Sequence, residues 1–276
     1  MVRINVSSNK RRENDGLRAF KKDIWYGEVS NHTIETLKSN LRDSATEKES
    51  FILINELLKL GDFSVKRLLI ELMNSTRDEL VLNLCTRLFC SAATHDDLLE
   101  TNNLKFLSSA SEDGVHNFVV SAGETLSYHV VPYLLALLEE WEDTFVEKAI
   151  RNELSWMLGI EDEYYEVALE EFNEAYSKFI ENNDTQEYYY RNRLSFPGDL
   201  AKELVSEVMS SLRDRTTYNV VTIPSVLSIW SGIKCPIQYD TIITNEKNRE
   251  LMSYIDVLTK KEWKIGKKYF YGHVVV

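Results

Sequence analysis

Along most of the chain apolar side chains recur every three or four residues, the period of a helix packed on one face. Ile34, Leu37 and Leu41 predict a helix over 33–43, and Phe51, Ile54, Leu57 and Leu58 predict another over 47–60. Gly61 ends the second, as a residue free to adopt left-handed backbone does. Asp62 is placed to cap a third helix through Met73, and a fourth covers 78–92. The pattern weakens over 95–122 into short helical pieces. Over 126–141 apolar residues lie nearly all round, which marks a helix buried between neighbours. Val146, Ile150, Leu154 and Met157 form a single stripe over 144–158, closed by Gly159. A long amphipathic helix is predicted over 161–181, with Tyr165, Ala168, Leu169, Phe172, Tyr176 and Phe179 toward the core, and another over 198–213 after Pro197-Gly198. The last sixty residues change character. Stretches 217–223, 237–243 and 269–276 are β-branched and aromatic and predict short strands, with helices at 224–231 and 245–260. At the other end, Val2, Ile4 and Val6 alternate like a short strand ahead of a basic linker and Trp25-Tyr26.

Composition supports a mainly α fold. Only 10 Gly and 4 Pro occur in 276 residues, too few for the many tight turns of a sandwich or a doubly wound sheet. The expected organisation is a basic arm over 1–30, a helical body over 31–213 and a small mixed α/β tail over 214–276. Cys85, Cys90 and Cys235 form no CxxC and leave an odd count, which argues for a reducing, cytoplasmic setting. The longest apolar stretch, 130–138, is interrupted by Pro132 and too short to span a bilayer, so no membrane role is expected.

Two loops look alike. Gly61-Asp62-Phe63-Ser64-Val65-Lys66 and Glu142-Asp143-Thr144-Phe145-Val146-Glu147 each start a helix after an apolar one, 81 residues apart from Asp to Asp. Helix pairs joined by Asp-x-x-Val resemble HEAT repeats, in which the Asp caps the second helix and the Val turns inward. The spacing would be two repeats of about forty residues. That resemblance implies an α-solenoid of antiparallel helix pairs with one concave surface. With its acidic balance and the aromatic, Gly-punctuated end Trp263-Lys264-Ile265-Gly266-Lys267-Lys268-Tyr269-Phe270-Tyr271-Gly272, the chain is similar to the helical immunity proteins of bacterial polymorphic toxin systems, of the immunity protein 47 type. That family has no catalytic motif, so no residue carries over as functional.

Charge sharpens the picture. The net charge is −12, which repels phosphate and excludes nucleic acid as the expected partner. Residues 1–22 hold seven bases against two acids, whereas 139–187 hold sixteen acids against three bases, more than the whole net charge. Glu163, Glu166, Glu170 and Glu174 follow one face of the predicted 161–181 helix. Such a field of one sign serves solubility or steers a basic partner. Tyr188, Tyr189 and Tyr190 follow directly, and since consecutive side chains diverge, at least one is expected at the surface as an interface anchor or a lid over the core.

Residues built for chemistry are missing from the sequence pattern. His32, His95, His116, His129 and His273 are scattered without metal-ligand spacing. His95-Asp96-Asp97 and Glu161-Asp162-Glu163 read as helix starts with acids favourable to the dipole. No GxSxG elbow is present, and Gly266-Lys267-Lys268 lacks the spacing of a phosphate loop. The expected function is therefore non-enzymatic and cofactor-free: an immunity protein binding a cognate toxin, a basic one such as a nuclease, through Glu163, Glu166, Glu170, Glu174 and the three tyrosines. The alternative is a HEAT-like scaffold or adaptor for a cellular protein. An enzyme acting on nucleic acid comes third.

Overall fold

The computed structural model describes residues 29–160 and 167–276. The protein is mainly helical. Helices α1 (Ile34–Arg42), α2 (Glu47–Lys59), α3 (Lys66–Ser75), α4 (Glu79–Ala92), α5 (His95–Leu99), α6 (Glu112–Ala122), α7 (Val131–Glu140), α8 (Phe145–Leu158), α9 (Leu169–Asn182), α10 (Pro197–Asp214), α11 (Thr222–Ser231) and α12 (Asn245–Thr259) are joined by short turns and 3-10 segments. Most helices lie within two residues of their expected bounds.

Four of them form a row. α2, α4, α6 and α8 begin at residues 47, 79, 112 and 145, steps of 32, 33 and 33 residues. Near their N-termini Thr76 Oγ1 donates to Glu47 at 2.6 Å, Asn117 Nδ2 donates to the Asn83 carbonyl at 3.1 Å, and the His116 and Phe145 rings lie 5.3 Å apart. Toward their C-termini Ser91 Oγ donates to Glu124 at 2.8 Å, and Gly123 lies against Glu153 and Trp156. Start therefore meets start and end meets end, so the row helices run parallel. The connecting segments return in the opposite sense: α3, then α5 with the 3-10 stretch Thr101–Ser109, then α7. These keep their own ladder, with Lys66 to Asp97 at 2.6 Å, Asn74 to Asn103 at 2.9 Å and Tyr133 to Leu98 at 2.8 Å.

The row is punctuated by caps. Thr46, Asp78 and Ser111 accept backbone N–H groups from the first turns of α2, α4 and α6, satisfying donors that a helix start leaves unpaired. This separates the two loops that look alike in sequence. Asp62 takes the Ser64 N–H and starts the 3-10 turn leading into α3, a returning helix. Asp143 precedes α8, a row helix; its side chain caps nothing, its backbone is left-handed at φ 62°, and Thr144 stands at the cap position. The loops occupy opposite ends of the two layers, and their spacing of 81 residues is about two and a half steps of the row.

Three further expectations change. The segment 95–122 is no weak region, because it contains α6, a member of the row. Over 161–181 the helix begins only at Leu169, with Ala168 extended before it, and 161–166 lie outside the described residues. The strand over 217–223 reduces to one bridge, Thr217 to Ile242, since α11 starts at Thr222. Of the basic arm expected over 1–30, residues 1–28, with the strand-like start, lie outside the described residues.

The C-terminal ends of the row are covered by two hairpins, β1 (Tyr189–Tyr190) with β2 (Arg193–Leu194), and β3 (Tyr269–Phe270) with β4 (His273–Val274). They match position by position, 80 residues apart, and each turns through a left-handed residue, Arg191 and Tyr271, at φ 51°. Ser195 donates its N–H to the Tyr188 carbonyl in one, and Val275 to the Lys268 carbonyl in the other. The hairpins are linked, with Tyr188 N–H donating to Gly266 and Gly266 N–H to Ser195. Asn192 sits on Gly159 at the end of α8, and His273 sits on Gly61 at the end of α2. Both glycines adopt positive φ and leave no room for a Cβ. One continuous core joins the row, the hairpins and the last three helices.

Candidate partner-binding surface

Glu170 and Glu174 are exposed on α9, as their spacing requires. Phe172 and Phe179 are buried on its opposite face, with Leu169 and Tyr176 partly buried beside them. α9 packs on α7 and α8. Glu170 and Glu174 thus join Glu139 and Glu140 at the end of α7, Glu142 and Asp143 in the turn, and Glu171 and Glu181, all exposed. The ion pairs made in this stretch by described residues, Arg151 to Glu147 at 2.7 Å and Lys267 to Glu187 at 2.9 Å, involve none of these eight carboxylates. Glu163 and Glu166 lie outside the described residues.

The three tyrosines correct the sequence reading. Tyr188, Tyr189 and Tyr190 are exposed by only 5%, 6% and 2%, so none is a surface anchor. Successive side chains do diverge, but β1 is buried on both faces. Tyr188 stacks on His95 with centroids 4.1 Å apart, Tyr189 meets Tyr128 and Phe179 edge-on, and Tyr190 meets Trp156 edge-on. Burial on both sides of a two-residue strand is invisible to a rule about alternation.

A polar cluster lies where the end of the row meets α11. Glu124 accepts from Ser91 Oγ and Ser225 Oγ, each at 2.8 Å, with Arg87 at 3.8 Å. Glu153 stands next to it, against Gly123, and burial pushes its carboxyl up to about 8, with the Glu124 charge adding to the effect. Lys268 is wholly buried and donates to the Cys90 and Ala93 carbonyls at 2.7 and 3.1 Å, closing the C-terminus of α4, and burial lowers its amine to about 7. His95 Nδ1 lies 2.8 Å from Ser127 Oγ, and burial holds the ring down at about 4. Glu124, Lys268 and His95 cap and cement the core. Among the described residues no three His, Cys, Asp or Glu side chains are placed to hold a metal ion, and no helix is long and apolar enough to cross a membrane. Cys85, Cys90 and Cys235 are free and buried, and burial raises all three thiols, so none is poised as a thiolate.

A family model described as immunity protein 47 matches residues 20–275, nearly the whole chain. The chain belongs to that family. No curated protein and no solved structure matches it.

In this immunity protein 47 member the match takes in both layers, both hairpins and the acidic stretch, so family membership describes the whole assembly rather than a fragment. The sequence reading missed one surface feature. Phe145 follows the cap of α8 but stands off its core stripe of Val146, Ile150 and Leu154, and it is 51% exposed. Its signal was available: a phenylalanine one position out of register with a regular stripe.

Proposed function

We propose that this protein neutralises a cognate toxin by binding it in the cytoplasm, without catalysis, and that the toxin is basic, a nuclease being the expected kind. Membership of an immunity-protein family carries the reading. The eight exposed carboxylates on α7, the α7–α8 turn and α9, unmatched by described bases, support the charge of the partner. Carboxylates facing a nucleic-acid groove would compete with substrate phosphate, and long-range attraction would raise the association rate. We also read the body as a right-handed HEAT-like solenoid of a polymorphic toxin system. The parallel row with its near-constant step supports this, with a step near 33 rather than the expected forty residues. Glu170 and Glu174 are the contact residues we assign among those described, with Glu163 and Glu166 in the same acidic run of sequence.

The test uses the toxin domain encoded beside this gene, made as an inactive variant for binding and as the active form for protection of cells. Glu170→Lys with Glu174→Lys reverses four charge units while Phe172 stays in place. Association should slow tenfold or more at low salt. The loss should shrink as the Debye length falls from ~30 Å at 0.01 M to ~8 Å at 0.15 M. Unchanged association at low salt, with the protein folded, would move the contact elsewhere. Absence of both binding and protection by the unaltered protein would overturn the function itself.

A further inference from the structure

Between α6 and α8 runs a strip that is exposed at one end and packed against the core at the other. On α8, Phe145, Ala149, Glu153 and Trp156 are spaced by four, four and three residues and so share one face. On α6, His116 and Val120 share a face that leads to Gly123. Val120 is 52% exposed although its neighbours Phe118 and Val119 are wholly buried, and Phe145, beside His116, is 51% exposed. One end of the strip is thus aromatic and aliphatic. At the other end Glu153 lies half-buried over Gly123, where the missing Cβ lets it approach the end of α6 closely. Arg87, the base that α4 carries, lies 3.8 Å from Glu124, which also accepts from two serines. Among the described residues no base forms an ion pair with Glu153. Exposed Asp113, Glu142 and Asp143 border the apolar end.

We propose that this groove between α6 and α8 seats the toxin's contact segment, with His116, Val120 and Phe145 receiving an apolar side chain and Glu153 receiving a lysine or arginine. The inference rests on the function proposed above and names the place of contact. The acidic border selects a basic segment over an acidic one, because a like charge set against these carboxylates is repelled. Apolar area at the centre of a charged rim is the composition of an interface hot spot, where an aromatic anchor sets residence time. The eight residue steps from Phe145 to Glu153 span about 12 Å of helix. An extended segment covers that distance in about four residues, so the apolar and basic side chains should stand three to four positions apart. The groups facing Glu153 are Glu124 after α6 and Cys90 on α4, with the Gly123 amide beneath. Burial beside Glu124 keeps Glu153 protonated up to about pH 8, so an incoming cation would expel that proton.

The experiment measures binding kinetics of the same inactive toxin domain to the full chain. Phe145→Ala and Val120→Asp alter exposed side chains, and their melting is checked first. Each should weaken binding tenfold or more through faster dissociation, with association within about threefold of the unaltered protein. Affinity of the unaltered protein should rise severalfold from pH 6.5 to 8.5, and Glu153→Gln should flatten that rise. If both groove variants bind like the unaltered protein while Glu170→Lys with Glu174→Lys does not, the groove is not the contact and the proposed function stands. If the unaltered protein does not bind, that function falls and the groove assignment falls with it.

Discussion

Single residues decide whether similar sequences do similar work here. Asp62 takes an N–H at a helix start and pairs with Lys38 at 2.6 Å, while Asp143 holds a left-handed turn and takes none. Asp62→Ala is expected to cost about 0.5–2 kcal/mol, the usual loss of a cap. Asp143→Gly is expected to be neutral or stabilising by up to about 1 kcal/mol, because glycine adopts φ 62° without a Cβ clash. Urea titration of both variants measures the contrast, and equal losses would contradict the assignment of the two loops. Lys268 makes a second case. Its folded amine is lowered by burial to about 7, while the unfolded amine holds its proton to about 10.4. Between those values the unfolded chain binds more protons, so this residue's contribution to stability rises with pH across pH 7–10. Lys268→Met should leave two buried carbonyls unpaired, cost about 1–3 kcal/mol and remove that slope. A Lys268→Met variant with the unaltered pH slope would show that another group sets it.

At the scale of elements, the helices were legible because each buries one stripe and most end on a turn residue. The stripes of α2, α4 and α8 and the glycines at 61 and 159 carried that signal. α6 was missed although Val115, Phe118, Val119 and Ala122 keep a helical stripe; the polar Glu112, Asp113, His116 and Asn117 of its other face dominate the run, and two of them make contacts across the row. The first hairpin was missed for another reason, whereas the second lies within the stretch 269–276 read as strand. Tyr188 to Tyr190 do not alternate, since the strand is enclosed on both faces, and its turn uses Arg191-Asn192 without a glycine. The candidate site was half legible: exposure of Glu170 and Glu174 follows from helical spacing, whereas burial of the tyrosines follows from packing between distant segments. Tyr189 is where that packing is densest, with ring contacts to Tyr128 and Phe179 and a hydroxyl donating to the Asp184 carbonyl at 3.1 Å. Tyr189→Ala is expected to cost about 3–5 kcal/mol, as loss of a buried aromatic does, and to show as a lowered denaturation midpoint. A cost under 1 kcal/mol would mean that the hairpin only lies on the core.

At the scale of the whole molecule, the two ends of the row are treated differently, and that asymmetry bears on how the chain divides. Four parallel helices point their N-termini, the positive ends of their dipoles, toward one edge, where Glu47, Glu79, Asp113 and Asp143 are exposed. That edge is open. The opposite edge presents carbonyls, and it is closed by residues from the far end of the sequence: Lys268 on the end of α4, His273 on the end of α2, and Tyr271 and Gly272 on the Ile229 and Trp230 carbonyls of α11. Tyr269 and Phe270 are almost wholly buried in the same core as the row. A chain cut after residue 213 would expose the α4 carbonyls, leave Glu124 without Ser225 and uncover apolar side chains on α4 and α10. We therefore expect the 31–213 body to lose cooperative unfolding when expressed alone, with retained helical circular dichroism, a broadened thermal transition and binding of a hydrophobic dye. Removal of residues 267–276 alone should produce the same behaviour, because it takes away Lys268, Tyr269 and Phe270 together. A shortened chain that melts in one sharp step at the temperature of the full protein would show that the tail is an appendage on which the body does not depend.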